Sequence, residues 1–158
     1  MENKKIKNAK NDVLDGIKFK SKIEKNVYQK LKDYGITASY EKTTFPLQYS
    51  FKPTKPLITK NKFKKLSKNV IPVKDLCVYD NRLVKPITYT PDFVFDYNGK
   101  TIVIEVKGFA NDTFPIKFKL FRHLLETDEL YKECNIEIWL IYTVKQLEEC
   151  LNHLKQSL

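Results

Sequence analysis

The chain has 158 residues, 42% hydrophobic and 13% aromatic, enough to bury a core and too many for a disordered segment. Its 29 Lys and Arg against 19 Asp and Glu leave a net charge of +10, which points to an anionic partner, nucleic acid before an acidic membrane surface. No apolar run approaches a membrane span, the N-terminus lacks the apolar stretch of a signal peptide, and Cys77, Cys134 and Cys150 have the spacing of neither a zinc ribbon nor a disulfide framework.

These features predict a cytoplasmic protein with reduced, structural thiols, no membrane contact and no small-molecule cofactor. Residues 1–14, with Lys4, Lys5, Lys7 and Lys10 among asparagines, read as a flexible basic arm. Residues 15–158 read as one domain with a basic insertion at about 52–75. His123 and His153 show no ligand spacing and are expected on helix surfaces.

A first helix is predicted from Ser21 to about Tyr34, with Ile23, Val27 and Leu31 as its apolar stripe and Gly35 ending it. Ser21 and Glu24 have capping-box spacing, in which the Glu side chain reaches back to a backbone N–H at the helix start. Residues 45–51 alternate apolar and polar and read as a strand. Residues 52–68 carry seven lysines and no acid. They fit a solvated loop, or a DNA-facing arm in which Tyr49, Phe51 and Phe63 lie near phosphate-binding lysines such as Lys62, Lys64 and Lys65. Residues 76–84 read as a strand and turn.

The strongest local signal is Asn98-Gly99, flanked on both sides by aromatic and β-branched residues, which predicts a two-residue hairpin. Counting outward pairs Tyr97 with Lys100, Asp96 with Thr101, Phe95 with Ile102, Val94 with Val103 and Phe93 with Ile104. Phe93, Phe95, Ile102, Ile104 and Val106 then share the buried face. Asp92, Glu105 and Lys107 share the other, with Asp92 opposite Glu105 and their Cβ atoms about 4.5–5.5 Å apart. Like charges so placed repel, and a hard divalent cation between them removes the penalty. The same trio also reads as an ordinary surface ion pair. Pro91 cannot donate to the ladder, so pairing should break there and free Asp92.

Beyond Gly108 a helix is predicted from Pro115 to about Glu126, lined by Phe114, Phe118, Phe121 and Leu125. Lys119 and Arg122 on its polar side fit either a solvated face or a grip on successive phosphates. Residues 136–142 form an apolar strand expected in the centre of the sheet, with Trp139 in the core. A last helix, 144–155, carries Val144, Leu147, Leu151 and Leu154 on one side and should cover a sheet face or join a dimer interface. The element order implies an α/β fold with a mixed sheet flanked by helices.

Pro91-Asp92 followed by Glu105-Val106-Lys107 resembles the signature of the PD-(D/E)xK nuclease superfamily. Together with the stretch from Asp15 to Glu24, the run Ile87–Phe93, Gly108-Phe109 and the basic helix ending at Arg122, it resembles small phage proteins similar to the endonuclease I type of Holliday-junction resolvase. The resemblance covers roughly residues 15–126 and departs between Glu24 and Asp92, where this chain is longer and more basic.

It implies a restriction-endonuclease-like core, a Mg²⁺ ion for which Mn²⁺ can substitute, and hydrolysis of phosphodiester bonds in branched DNA by a homodimer. Asp92, Glu105 and the Val106 carbonyl would be metal ligands, Lys107 and Glu24 catalytic groups, and Lys18, Lys20, Lys119 and Arg122 DNA contacts. Two alternatives stay open: a nuclease of this fold acting on linear DNA, and a basic nucleic-acid-binding protein that does not cut.

Overall fold

The computed structural model describes residues 12–60, 72–73, 76–77, 82–108 and 113–156. Lys62, Lys64, Lys65, Phe63 and most of the arm at 1–14 lie outside these residues. The chain divides into two compact units, one formed by Met1–Phe45 with Thr90–Leu158, the other by Pro46–Tyr89. The second unit contains the whole stretch read as a basic insertion.

The first unit holds a four-stranded mixed sheet in the order β11-β10-β9-β3. Strands β9 (Phe93–Tyr97) and β10 (Lys100–Val106) form the predicted hairpin, and all five pairs from Tyr97–Lys100 to Phe93–Ile104 occur in the predicted register. Asn98 and Gly99 take φ of 49° and 76°, the left-handed pair that a tight hairpin requires. On the outer side of β9 lies the short β3 (Ser39–Tyr40), antiparallel. On the outer side of β10 lies β11 (Ile136–Ile141), parallel. Among the described residues β11 is therefore an edge strand, which corrects the expectation that it is central. Trp139 is buried and meets Phe95 edge-on at 6.1 Å, a core residue as expected.

Helix α1 (Lys22–Asp33) and helix α3 (Val144–Gln156) pack on the face of the sheet that carries Phe93, Phe95, Ile102, Ile104 and Val106. Val27, Leu31, Leu147, Leu151 and Leu154 fill this core, so α3 covers a sheet face. The two helices are tied by the Lys30–Glu148 ion pair (2.6 Å) and by the Tyr34 hydroxyl donating to Asn152 (3.1 Å). Helix α1 ends as predicted: Gly35 at φ 75° donates to the Lys32 carbonyl and Ile36 to that of Leu31.

Helix α2 (Phe114–Thr127) links β10 to the parallel β11, and its Phe121 and Leu124 are buried outside that cluster. Phe45 packs on the rings of Phe121 (4.7 Å) and Tyr131 (5.6 Å). The opposite face of β10 is also closed: Val103 and Glu105 are buried along with their neighbours. The architecture is the predicted α/β class, a mixed sheet flanked by helices.

Two features lie outside the predicted plan. Residues Asp12–Leu14, read as the end of the arm, form β1 and pair antiparallel with β2 (Ile17–Phe19) around Asp15 (φ 51°) and Gly16 (φ 77°). Phe19 then enters the core. Strand β4 (Phe45–Gln48), all but its first residue in the second unit, pairs with β8 (Ile87–Tyr89), and the second unit also has a small sheet in the order β5-β7-β6, made of Thr59–Lys60, Leu76–Cys77 and Pro72–Val73. The stretch 52–68, read as a loop, thus contains a strand at Thr59–Lys60. At the two points where the chain leaves and re-enters the first unit, the hydroxyls of Thr44 and Thr90 lie 2.9 Å apart.

Candidate active site

Asp92 sits between the buried Pro91 and the first residue of β9. Along β10 the residues whose N–H and C=O face β9 alternate, and Ile104 is followed by Val106. Opposite Val106 the hairpin would place Pro91, which has no N–H to offer the Val106 carbonyl. The regular pairing ends at Phe93–Ile104, as predicted, and the Asp92 side chain takes over: its Oδ2 accepts the Val106 N–H at 2.6 Å. From the other side the Glu41 N–H donates to the Asp92 carbonyl at 2.9 Å. The proline thus creates the break, and two neighbouring segments hold the freed aspartate.

Glu105 is only 5% exposed, and its carboxylate is ion-paired with Lys107 two residues on. The Lys107 ammonium also lies 3.9 Å from the centre of the Phe114 ring at the start of α2, which places that end of the helix on the Glu105 face of the sheet. Burial, and next the charge of Glu105, raises the Asp92 carboxyl to about 7, with Glu24 adding to the rise. The Val106 N–H and Lys107 oppose it. The reading of this trio as an exposed surface ion pair fails on burial.

Glu24 is the second buried carboxylate, 8% exposed, in the first turn of α1. Its Oε1 accepts from the Ser21 hydroxyl at 2.7 Å, and Ser21 accepts the Glu24 N–H at 3.2 Å. Its Oε2 accepts the Lys20 N–H (3.1 Å) and the Tyr40 hydroxyl (2.6 Å). The capping box is therefore present, reaching one residue further back than the Ser21 N–H. The same carboxylate also acts electrostatically on Asp92.

Tyr40, Glu41 and the side chain of Lys20 complete this cluster, and the first two were not read from the sequence. Burial, then the bond to Glu24, raises the Tyr40 hydroxyl above its usual range and keeps it a donor. Lys20, expected as a DNA contact, is ion-paired with Glu41. Burial works against its charge, but Glu41, and at longer range Asp92 and Glu24, hold it above the usual lysine range. Glu41 lies in the left-handed region at φ 48°, a backbone setting that no sequence motif announced.

Lys18, Lys119 and Arg122 are exposed on β2 and α2. His123 and His153 are exposed, as expected. Cys134 is exposed and Cys150 half-buried, both free thiols, so Cys134 is no core residue. No described helix is long and apolar enough to cross a membrane.

Among the described residues no group of three or more His, Cys, Asp or Glu side chains is arranged to hold a metal ion. The donors that do converge are hard oxygens, the chemistry that suits Mg²⁺ or Mn²⁺, and Mg²⁺ is commonly held by one or two carboxylates with waters and substrate phosphates. Asp92 and Glu105, near enough for the charge of one to raise the pKa of the other, have the chemistry that suits such an ion.

No curated protein and no solved structure matches this chain. A protein-family model described as "Protein of unknown function (DUF1064)" matches residues 4–148, a span that takes in the β9–β10 hairpin, Glu24 and helix α2, and the chain belongs to that family.

Proposed function

We propose that this protein is a Mg²⁺-dependent endodeoxyribonuclease that hydrolyses phosphodiester bonds in branched DNA. The observation that carries the hydrolytic part is the pairing of a half-buried Asp92 with a buried Glu105, each carboxylate held by its own partner, with Lys107 beside them. Two carboxylates kept close together, one of them buried, cost stability without a cation, a mark of a site kept for chemistry.

Asp92, Glu105 and the Val106 carbonyl would hold the ion, which supplies charge neutralisation at the phosphoryl oxygens and an acidified water. Lys107, held beside Glu105 and the Phe114 ring, would orient the attacking water and stabilise the negative charge that develops on the phosphoryl group. Glu24, oriented by Ser21, Lys20 and Tyr40, would hold a water or a second ion. Water oxygen bonds to phosphorus and gives up a proton to solvent, one ester P–O bond breaks, and the leaving alkoxide takes a proton from solvent. Lys18, Lys119 and Arg122 are candidates for phosphate contacts outside the reacting centre. The preference for branched DNA and the homodimer rest on the resemblance to endonuclease I-type resolvases.

The test is a cleavage assay with Mg²⁺ on a four-way junction, a flap, linear duplex and single strands, with Asp92→Asn and Glu105→Ala as controls. Symmetric nicking of the junction, lost in both variants, is the expected result. Cutting of linear DNA with no junction preference overturns the branched-substrate part. Tight DNA binding with no cutting in Mg²⁺ or Mn²⁺ overturns the enzyme.

A further inference from the structure

The charge of this chain is not evenly spread. Residues 46–89 hold ten Lys and Arg against two Asp, which is +8 of the net +10. The two acids, Asp75 and Asp80, lie outside the described residues, so every charged side chain described in this unit is basic.

The same unit turns aromatic rings outward. Tyr49 is 61% and Phe51 49% exposed, whereas most large apolar side chains of the first unit's sheet are buried. These rings sit on ordered backbone. Phe51 is bridged antiparallel to Val84, with N–H···O bonds of 3.2 and 2.9 Å in the two directions. Tyr49 lies between that bridge and β4, which is itself paired with β8. Counting from the bridge, Ser50 falls opposite Lys85 and Lys52 opposite Leu83, so Lys52 and Lys85 stem from the face of this ribbon opposite to that of Tyr49 and Phe51. Lys52, Lys55 and Lys85 are all exposed. Residues two apart in an extended chain share a face about 6.8 Å apart, twice the 3.4 Å spacing of stacked bases.

Exposed aromatic residues alone would mean little. Two rings fixed on one extended segment, within a unit of this charge and next to three exposed lysines, match what a single strand offers: phosphates for the cations and unpaired π-faces for the rings. A duplex offers only the phosphates, because its bases are already stacked.

We infer that Tyr49 and Phe51 form a stacking surface for unpaired nucleic-acid strands, with the long side chains of Lys52, Lys55 and Lys85 reaching the phosphates round the edges of the same segment. The inference shares with the proposed function only the nucleic-acid partner. It concerns affinity, and holds whether or not the Asp92–Glu105 site cuts.

The experiment uses the full chain in chelator, so that nothing is cleaved. Fluorescence anisotropy compares oligo(dT), an abasic oligonucleotide of the same length, and a duplex, for the wild type, Tyr49→Ala/Phe51→Ala and Lys52→Gln/Lys55→Gln/Lys85→Gln. Tyr49 and Phe51 are exposed, so their removal should leave the fold intact, which circular dichroism verifies.

The aromatic variant should lose at least about tenfold in oligo(dT) affinity, keep its slope against log salt, and bind the abasic strand as the wild type does. The lysine variant should show a shallower slope, by up to about 2 for three lost phosphate contacts. Equal wild-type affinity for oligo(dT) and the abasic strand overturns the inference, as does an aromatic variant that binds oligo(dT) normally. Failure of the cleavage assay leaves these outcomes unaffected, and a negative anisotropy result leaves the Asp92–Glu105 reading standing.

Discussion

The Asp92 carboxylate accepts the backbone N–H of Val106, 14 residues further along the chain, at 2.6 Å. That single bond replaces the ladder contact which Pro91 cannot make in full, and it fixes one acidic side chain beside another. Asp92 is held in place by the backbone of the same strand that carries Glu105 and Lys107. Changes at Asp92 should therefore separate chemistry from folding poorly when they remove the acceptor and well when they keep it. Asp92→Asn retains an oxygen for Val106 and should fold normally while abolishing cleavage. Asp92→Ala should also lose about 1–3 kcal/mol through the unsatisfied N–H. Chemical denaturation of the two variants measures the difference.

The metal-free protein should become less stable as pH rises. The Asp92 carboxyl is raised from 3.8 to about 7 in the fold, first by burial and then by Glu105, so between those values the folded state holds a proton that the unfolded chain has released. Stability is highest below the unfolded value and falls through this window as Asp92 is forced to ionise. Thermal melts in chelator from pH 4.5 to 8 should show the decline, and Asp92→Asn should flatten it.

Divalent ions should reverse that cost. At a Mg²⁺ or Mn²⁺ concentration one hundred times Kd, the folded state gains about 2.7 kcal/mol, roughly 5–10 °C in Tm for a chain of this size. Glu105→Ala should abolish the rise. Ca²⁺ can be run beside them to separate binding from catalysis, since a shift in Tm needs no turnover.

Glu24 has two duties that substitution can pull apart. Ser21→Ala removes both the helix cap and a donor to the Glu24 carboxylate, so it should cost about 1 kcal/mol and also slow cleavage, whereas a change at Tyr40 spares the cap. Tyr40→Phe removes one donor to the Glu24 carboxylate at 2.6 Å and should slow cleavage about 10- to 100-fold, as loss of an orienting partner does around a metal site. Single-turnover rates beside melting curves measure both.

Lys107→Met should abolish cleavage and also weaken the fold, because Glu105 would stay buried without its ion pair. Lys107→Met/Glu105→Gln should recover stability but not activity. A double-mutant cycle in urea reads the coupling.

The hairpin was legible residue by residue because Asn98-Gly99 permits one turn geometry, and one face of the strands had to be buried. Its break at Pro91 followed from a missing donor. The position of β11 was misread for a related reason: an apolar run such as Ile136–Ile141 suggests burial on both faces, but burial by helices above and below does not require a strand on both sides. Tyr40 and Glu41 could not be found from the sequence. Tyr40 ends a strand of two residues, too few for any periodicity, Glu41 follows it, and their importance comes from contacts with Lys20, Glu24 and Asp92 made across the fold. The β1–β2 hairpin left a faint signal in Asp15-Gly16, but its three-residue arms were too short to show alternation.

The meeting of Thr44 and Thr90 has a consequence for how such a chain can change over generations. A segment that departs and returns at neighbouring points can be lengthened, shortened or exchanged while the sheet keeps its register. Relatives can then share the hairpin with its three charged residues and differ widely between those two threonines, each lineage fitting its own attachment to a common core. A chain in which a short Gly-Ser bridge replaces residues 46–89 should still fold around β9 and β10.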